Sequence, residues 1–231
     1  MKPSAVLKRF WQTTLRPCLA VAAVILPVKS AIADVNFVPS GSMKPTILEG
    51  DFLFVNKLAY DLKIPFTTYH LAEWKGPSRG DVVVLFSPED GLRLVKRLVA
   101  IPGDTLELRN NVLWINGQKA AYQPPQEGVL DYVPKADLRH AQFATETVEN
   151  RSHAVMAYPA YASPVQSFSP VTLGRDQYFV MGDNRDNSKD SRSFGIVNRK
   201  LIVGKALSVI VSVDKPGAWL PRFGRFFSSL N

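Results

Sequence analysis

Residues 82–101 read VVVLFSPEDGLRLVKRLVAI, and this stretch decides the fold class. Two apolar runs, 82–86 and 92–101, flank the turn-forming sequence PEDG, so the stretch predicts an antiparallel hairpin. Comparable short apolar runs occur elsewhere in the chain, at 52–55, 112–115, 177–181 and 201–213. Turn signals separate them, including the hairpin dipeptide Asn116-Gly117. The sequence therefore predicts a mostly β, antiparallel fold.

The second strand of this hairpin carries a lysine in an unusual position. Side chains alternate between the two faces of a strand, which puts Lys96 beside Leu94 and Leu98, and Arg93 and Arg97 on the opposite face. Burial of an ammonium group in such surroundings lowers its pKa and makes the neutral amine available as a base. The alternative interpretation is a structural lysine that extends to solvent or pairs with a carboxylate.

A base of this kind needs a nucleophile, and Ser42 is the candidate. It lies in the sequence PSGSMKPT at 39–46, whose proline, glycine and serine content excludes a helix. The three histidines, His70, His140 and His153, all fall in predicted connections or in a poorly patterned segment. A Ser-His-Asp triad is recognised by geometry rather than by spacing, so the sequence leaves that alternative open.

A third polar segment, 181–195, follows the predicted strand at 177–181. Its alternating Asp and Ser residues suggest a calcium loop, but the sixth and twelfth positions are Ser191 and Val197 instead of Gly and Glu. The segment instead predicts a hydrogen-bonded network that holds neighbouring groups in place. The single cysteine, Cys18, excludes an internal disulfide and a four-cysteine zinc site. We expect neither a metal nor an organic cofactor.

Composition and charge point to an exported globular protein at a membrane. With 46% hydrophobic and 21% charged residues, the chain can build a core. The net charge of +8 is concentrated near the N-terminus, where residues 1–33 contain basic residues and no acidic ones. Those basic residues are Lys2, Lys8, Arg9, Arg16 and Lys29. Because they flank an apolar stretch, the pattern is typical of membrane insertion and not of nucleic-acid binding.

The apolar stretch has two interpretations. Residues 13–33 provide the roughly 20 residues of helix that cross a bilayer, with residues 1–12 as a short cytoplasmic N-terminus. The same stretch also fits a cleaved signal peptide, with Ala31-Ile32-Ala33 before Asp34 as the cleavage site. Both interpretations place the chain from residue 34 onward outside the membrane.

The remaining chain divides into a catalytic β domain and an insertion. We assign 34–118 and 171–231 to the β domain, with 60–80 as a connection between strands. Residues 119–170 are rich in proline and lack a clear hydrophobic period, so they predict an irregular insertion or a small subdomain with short strands.

Several segments, taken together and in order, resemble bacterial signal peptidase I, a membrane-bound serine protease with a Ser–Lys dyad. The matching segments are PSGSMKPT at 39–46, Gly50-Asp51, GDVVV at 80–84, Lys96-Arg97 with Pro102-Gly103-Asp104, and 182–192 with Phe194-Gly195. The resemblance implies an antiparallel β catalytic domain with a smaller inserted domain, preceded by one transmembrane helix. In that family the serine follows its anchor closely, which favours an uncleaved anchor at 13–33.

The resemblance also implies roles for individual residues. Ser42 would be the nucleophile and Lys96 the general base, while Ser40 and the backbone N–H of Ser42 would form the oxyanion hole. Ser188 would orient the Lys96 amine. Asp190 and Arg192 would support the site, and Asp183 and Arg185 would be structural. Shallow apolar pockets for small substrate residues would be formed by Val38, Pro39, Met43, Ile47, Leu94 and Val95.

The function implied by this resemblance is removal of signal peptides from exported preproteins. The partners are preproteins with cleavable signal peptides and the lipid bilayer, with no nucleic acid. The expected location is the bacterial cytoplasmic membrane, with a single crossing and the catalytic domain on the outer face. Two alternatives stay open: a conjugation-type processing peptidase with the same dyad and a dedicated substrate, and a catalytically silent membrane-anchored scaffold.

Overall fold

The computed structural model describes residues 8–64, 67, 69–160, 165–215 and 219–230. Its strands are β1 (Ala33–Phe37), β2 (Asp51–Asn56), β3 (Asp61–Lys63), β4 (His70–Glu73), β5 (Val82–Phe86), β6 (Arg93–Ala100), β7 (Thr105–Arg109), β8 (Val112–Ile115), β9 (Gln118–Lys119), β10 (Ala121–Gln123), β11 (Gln142–Val148), β12 (Arg151–Ala157), β13 (Phe168–Thr172), β14 (Gln177–Met181), β15 (Val197–Asn198), β16 (Ile202–Ser212) and β17 (Ser228–Ser229). The helices are α1 (Arg16–Ala31), α2 (Lys135–His140) and α3 (Ser191–Phe194). A π-helical turn, Trp11–Leu15, precedes α1, and 3₁₀ turns lie at Lys57–Ala59, Arg199–Leu201 and Phe223–Arg225.

The N-terminal helix is shorter than the predicted segment 13–33. Helix α1 ends at Ala31, and Ala33 already belongs to β1, which pairs with β2 over five residues. In the part of the chain that the structure describes, no helix has both the length and the apolar character required to cross a membrane.

The largest sheet has eight strands and is antiparallel throughout. Its order is β1-β2-β16-β5-β6-β14-β15, and β17 pairs with β16. The predicted hairpin at 82–101 is confirmed as β5 and β6, with Val83 opposite Lys96 and Val84 opposite Val95. The predicted strands at 52–55, 177–181 and 201–213 are confirmed as β2, β14 and β16. The prediction of a mostly β, antiparallel fold is therefore confirmed.

Apolar side chains cover both faces of this sheet. The Ile47 cluster on one side contains Val38, Met43, Ile47, Leu53, Val55, Val82, Val84, Ala206, Val209 and Leu230. The Leu98 cluster on the other side contains Tyr60, Val83, Leu85, Leu98, Tyr178, Val180, Val197 and Ile202. Successive residues of β5 alternate between the two clusters, as the two-residue period of a strand requires.

Two smaller sheets pack beyond the end of β6. One has the order β13-β7-β8-β9, and its β8–β9 turn contains Asn116 and Gly117, both with positive φ (52° and 77°). That turn confirms the hairpin predicted from the Asn-Gly dipeptide. The other sheet, β10-β11-β12, lies within the segment 119–170 that was predicted to be an irregular insertion or a small subdomain with short strands.

The segment 60–80, predicted to be a connection, contains the two-stranded sheet β3–β4. The prediction missed these strands because they are only three and four residues long and mostly not buried, so their hydrophobic pattern is weak.

Candidate active site

The structure brings Ser42 and Lys96 into direct contact. Lys96 Nζ lies 2.6 Å from Ser42 Oγ, although the two residues are distant in sequence. Lys96 comes from the middle of β6, and Ser42 from the loop after β1, which we call the serine loop (residues 38–50). Two backbone hydrogen bonds close the base of this loop, from Val38 N to Asp51 O (2.9 Å) and from Gly50 N to Val38 O (3.0 Å).

The end of β14 explains why the lysine is accessible to this loop. The last paired residues of β14 and β6 are Met181 and Arg97. One residue further on, Gly182 leaves the sheet at the level of Lys96. Among the described strands, no neighbour pairs with residues 93–96 of β6 on this side, and the serine loop approaches there.

Lys96 has the electrostatic properties of a base. Only 3% of the residue is exposed, and burial lowers the pKa of its amine to about 8. The nearby Arg192 guanidinium also lowers this pKa, while Asp190 and Asp183 act in the opposite direction. Within the described residues, no carboxylate forms an ion pair with Lys96, so the neutral amine is within reach near neutral pH.

Asp190 fixes the segment that runs past the lysine. Its buried carboxylate accepts hydrogen bonds from the backbone N–H of Gly182 (2.8 Å) and from the Arg192 side chain (2.9 and 2.7 Å). Burial by itself would raise the pKa of Asp190, but Arg192 lowers it below its usual value. The carboxylate therefore stays charged and ties Gly182 to the first turn of α3.

Ser188 lies over Gly182 and beside the serine loop. A Cβ atom on Gly182 would lie 2.3 Å from Ser188 Oγ and 2.5 Å from the carbonyl oxygen of Ser42. The side chain is therefore close to the dyad. In the described part of the chain, however, Ser188 and Lys96 do not form a hydrogen bond with each other.

Asn184 is a positioning residue that the sequence analysis did not single out. Its backbone N–H donates to Ser42 O (3.1 Å), and its side-chain Nδ2 donates to Gly41 O (3.2 Å). These two bonds fix the backbone on both sides of the Gly41–Ser42 peptide. The segment 181–195 was predicted to hold neighbouring groups through hydrogen bonds, but the sequence does not show which of its many polar residues contacts the serine.

Arg97 is the second residue whose importance was missed. The alternation argument placed it on the same face as Arg93 and gave it no role, yet it is only 2% exposed. Its guanidinium forms two 2.8 Å hydrogen bonds to Asp183, which also accepts a 2.6 Å bond from Thr46 in the serine loop. Both faces of this sheet are covered, so Arg97 is buried and needs a partner.

The segment after β14 is also held by the sheet of β10, β11 and β12. Met156 N donates to Asp183 O (2.9 Å), and Arg185 N donates to Met156 O (2.8 Å). The Arg185 side chain forms two 2.6 Å hydrogen bonds with Glu146, and both residues are buried. Asp183 and Arg185 thus lie in structural contacts.

The geometry can be compared with known proteins. The family described as signal peptidase, peptidase S26, matches residues 11–211 of the chain, a range that includes β6 and the serine loop. The chain belongs to this family. Its members are peptidases, and the chain is accordingly a serine endopeptidase. The resemblance found in the sequence is confirmed.

Two relatives that are 35% and 31% identical to this chain agree with this assignment. Signal peptidase I of Pseudomonas fluorescens is 35% identical, over 89% of this chain and 74% of that protein. Signal peptidase I P of Bacillus subtilis subsp. natto is 31% identical, over 87% of this chain and 89% of that protein. A crystal structure of a signal peptidase I from Enterococcus faecalis V583 aligns with 57% of this chain and 97% of that chain, with 30% identity and a TM-score of 0.34.

The six residues expected to form the substrate pockets of a signal peptidase do not lie together. Val38, Met43 and Ile47 are buried in the Ile47 cluster, and Val95 packs against that cluster. Leu94 packs against the Leu98 cluster on the other side of the sheet, because it alternates with Val95. Pro39 is exposed, as is Ser40, the expected partner of Ser42 in the oxyanion hole.

Proposed function

We propose that this chain removes signal peptides from exported preproteins, with Ser42 as the nucleophile and Lys96 as the general base. The observation that supports the proposal best is the 2.6 Å contact between Lys96 Nζ and Ser42 Oγ. A second supporting observation is that the amine of Lys96 is buried, which lowers its pKa to about 8. The family and these relatives are signal peptidases, and they supply the substrate class.

In the first step, neutral Lys96 takes the proton of the Ser42 hydroxyl as Oγ attacks the scissile carbonyl carbon. The carbonyl π electrons move to oxygen and form a tetrahedral oxyanion. When this intermediate collapses, the ammonium of Lys96 returns the proton to the departing amine, and the C–N bond breaks. The products are the free N-terminus of the mature protein and an acyl-enzyme ester on Ser42.

The second step reverses the roles of nucleophile and leaving group. Neutral Lys96 removes a proton from a water molecule, which attacks the ester carbonyl. The C–O bond to Ser42 then breaks, Oγ regains a proton from Lys96, and the signal peptide leaves with a new carboxylic acid, which loses its remaining proton to solvent. The same lysine serves both steps because it is neutral at the start of each.

Donors for the oxyanion are provided by the serine loop. The backbone N–H of Ser42 is fixed by the bonds from Asn184 to Gly41 O and Ser42 O. We assign the second donor to the hydroxyl of Ser40, which is exposed and can rotate toward a bound substrate. Preorganised donors of this kind typically contribute about 3–4 kcal/mol to the stabilisation of the transition state.

Three further residues support the lysine. Asp190 and Arg192 hold Gly182 beside Lys96, and Arg192 also opposes protonation of the amine. Ser188 is the candidate to orient the amine, since its hydroxyl lies over Gly182, close to the backbone of Ser42. If Ser188 Oγ accepts a hydrogen bond from Lys96 Nζ, the nitrogen lone pair is left to point toward Ser42.

The substrate would bind as an extended strand. Among the described strands, none pairs with residues 93–95 of β6 on the side of the dyad, and an open edge of this kind pairs with extended peptides. Alternate side chains of such a peptide would face the two sides of the sheet, toward Val38, Pro39, Met43, Ile47 and Val95 on one side and toward Leu94 on the other. Most of these residues are packed in clusters, so little room is left and small substrate residues such as alanine would be selected.

The N-terminal helix would anchor the enzyme to the membrane. Apolar side chains of α1 are more than half exposed, namely Leu19, Val21, Val24, Ile25 and Leu26. Basic residues on the N-terminal side favour a cytoplasmic N-terminus, with the catalytic domain on the outer face of the bacterial cytoplasmic membrane. Beyond the helix, Phe37 stacks on the exposed Trp219 at 6.4 Å, which adds an aromatic surface suited to the interface. Attachment of enzyme and preprotein to one bilayer raises their effective concentration.

The test is cleavage of a purified preprotein by the full chain in detergent micelles. We expect Ser42→Ala and Lys96→Ala each to lower kcat/KM by at least about a thousand-fold. Lys96→Arg should fail as well, because a guanidinium group stays protonated. The matched controls are Ser229→Ala and Lys119→Ala at exposed positions, which should cleave like the wild type.

Four outcomes would contradict the proposal. Substantial cleavage by either dyad variant would exclude the dyad, and loss of cleavage in a His70, His140 or His153 variant alone would favour a histidine triad. An inactive wild type with an intact fold would indicate the silent scaffold. Cleavage of one conjugation-related substrate, with no cleavage of general preproteins, would indicate the dedicated processing peptidase.

A further inference from the structure

A cavity of about 500 Å³ lies at one end of the large sheet, away from the dyad. It is found where β5 and β2 end and where β6 and β16 begin, at the same end at which α1 enters β1. Its lining includes Ala31, the last residue of α1, together with Phe86, Ile202 and Val203. The cavity is therefore adjacent to the base of the N-terminal helix.

The polar part of the lining is strongly basic. Among the described residues, four cationic side chains line the cavity, from Lys57, Lys63, Arg93 and Lys200, and no acidic side chain does so. Basic residues drawn from four separate parts of the chain converge on one space, although the exported part of the protein has nearly balanced charge.

Among the described residues, fewer carboxylates than cations lie at this cavity. Asp34 pairs with Arg93 (2.9 Å) and also lies 3.5 Å from Lys57 Nζ. Asp61 pairs with Lys63 (2.5 Å), but it also pairs with Arg199. Lys200 is exposed and has no carboxylate partner within the described part of the chain. The cavity thus retains an excess of positive charge in a partly enclosed space.

We propose that this cavity binds a phosphate group, of the kind carried by an anionic phospholipid headgroup or by free phosphate. A phosphate ester presents several strong acceptor oxygens to ammonium and guanidinium donors, and basic pockets next to membrane helices bind such headgroups. The volume suits a glycerophosphate group, and the apolar wall of Ala31, Phe86 and Ile202 suits the start of an acyl chain.

The assignment of this phosphate to a lipid headgroup rests on the proposed function, because it requires α1 to be a membrane anchor. If α1 crosses the bilayer, its C-terminal residue Ala31 emerges in the headgroup layer, and the cavity lies at that level. A bound headgroup would then fix the height of the large sheet above the membrane. Lys96 is three residues from Arg93 along β6, about 10 Å, so the headgroup would also set the distance of the dyad from the surface.

The experiment is native mass spectrometry of the full chain in detergent, titrated with dihexanoyl phosphatidylglycerol. We expect one lipid to bind with saturation, and Lys57→Gln with Lys200→Gln to raise its Kd at least about tenfold. The matched control, Lys119→Gln with Lys135→Gln, removes the same charge from exposed positions elsewhere and should change Kd less than about twofold. A second variant is Lys200→Glu alone. Because Lys200 is exposed and forms no ion pair in the described part of the chain, reversal of its charge should leave the fold intact.

Two further titrations distinguish the sources of the ligand. Tighter binding of the phospholipid than of inorganic phosphate assigns the cavity to a headgroup, and the reverse order assigns it to free phosphate. Dihexanoylglycerol, which lacks the phosphate, should not bind. Equal binding of dihexanoylglycerol, equal losses in the two double variants, or the absence of saturable binding would overturn the inference. Because binding is read by mass and not by cleavage, failure of the proposed function would be seen separately, in the preprotein assay.

Discussion

At the scale of single residues, the proposed mechanism makes the activity depend on the protonation of Lys96. Burial lowers the pKa of its amine to about 8, so at pH 7 about one molecule in ten has the neutral base. An ordinary lysine would be neutral in only about one molecule in several thousand. The apolar surroundings of β6 therefore make the lysine usable without any histidine.

The first prediction is a pH profile governed by this amine. We expect kcat/KM for a soluble signal-sequence peptide to rise with pH from about 6 and to reach half its maximum near pH 8, because only the neutral amine accepts the serine proton. Initial rates between pH 5.5 and 9.5 provide the measurement, with circular dichroism to verify the fold at each pH. A rate that is flat or falls across pH 7–9 would exclude Lys96 as the base.

The second prediction is that this lysine reduces stability. Its folded pKa is below its unfolded value, so the unfolded state binds more protons between about pH 8 and 10.5. Below pH 8 the folded state therefore carries a penalty of about 3 kcal/mol, and the penalty disappears as pH rises through that window. Lys96→Met should increase the free energy of unfolding by about 2–3 kcal/mol at pH 7 and by much less at pH 10.

Urea unfolding of both proteins at the two pH values measures this effect. The control is Lys119→Met, where the exposed lysine has no burial penalty and the free energy of unfolding should be unchanged at both pH values. A Lys96→Met protein less stable than the wild type at pH 7 would mean that the amine is stabilised by contacts and is not a strained base.

The sequence pattern predicted the burial of Lys96 but not that of Arg97, and this difference has a physical cause. Strand alternation shows which residues share a face, and the apolar neighbours of Lys96 signalled burial. Alternation does not show whether the opposite face is also covered. Arg97 is buried because the serine loop packs over its face of the sheet, and a loop 50 residues away in sequence leaves no mark on the pattern of β6.

At the scale of elements, the site exists because β14 ends one residue before the level of Lys96. Gly182 continues the chain at that point with Ser188 on one side and the carbonyl of Ser42 on the other. Only a residue without a side chain fits between them, so the sheet edge, the polar segment and the serine loop meet at one glycine.

The third prediction concerns this glycine. A methyl group at Gly182 would lie 2.3 Å from Ser188 Oγ and 2.5 Å from Ser42 O, so Gly182→Ala must push the polar segment away from the serine loop. We expect kcat/KM to fall at least about a hundred-fold, because displacement of a catalytic group by about 1 Å has that effect. Stability should fall by about 1–3 kcal/mol.

Peptide cleavage and urea unfolding measure the two effects. Gly76→Ala is the matched control, since its added methyl group would meet only the Tyr178 hydroxyl at 3.5 Å, an ordinary contact. Gly182→Ala with activity within about threefold of the wild type would show that the two segments can separate freely, contrary to the site described here.

The strands differ in how well they could be predicted from the sequence. The strands β5 and β14 are almost entirely buried and apolar, which makes them recognisable. Strand β6 contains three cationic residues and was predicted as the return strand after the PEDG turn. Strand β1 continues directly from an apolar helix, so hydrophobicity alone does not mark the change at residue 33. Short strands were predicted in 119–170, but their bounds were not, because these strands alternate polar and apolar residues weakly and bury a glutamate, Glu146.

At the scale of the whole molecule, the dyad depends on the sheet of β10, β11 and β12. That sheet holds the segment after β14 through two backbone bonds at Met156 and through the pair between Glu146 and Arg185. Next along the chain, Asn184 holds the backbone of Ser42. The inserted segment thus contributes no side chain to the proposed chemistry, but it supports the residues that position the nucleophile.

The last prediction tests that support through Glu146. Burial by itself would raise the pKa of this carboxyl, but Arg185 holds it well below its usual range, so the pair is ionised. Glu146→Ala would leave the buried Arg185 cation without its partner, and we expect a loss of about 3–5 kcal/mol in the free energy of unfolding. Because Asn184 is adjacent, kcat/KM of the folded fraction should fall too, while the midpoint of the pH profile should stay near 8, since Lys96 keeps its surroundings.

The control is a second bidentate arginine–glutamate pair, between Glu107 and Arg109, whose arginine is 58% exposed. The same substitution there, Glu107→Ala, should lower the free energy of unfolding by no more than about 1 kcal/mol, since water can solvate the exposed guanidinium group. The two pairs have the same chemistry and nearly the same distances, so a difference in the free energy of unfolding lost by the two variants reports the effect of burial. If the two variants lost equal stability, or if Glu146→Ala kept full activity, the inserted sheet would not support the serine loop in the way proposed here.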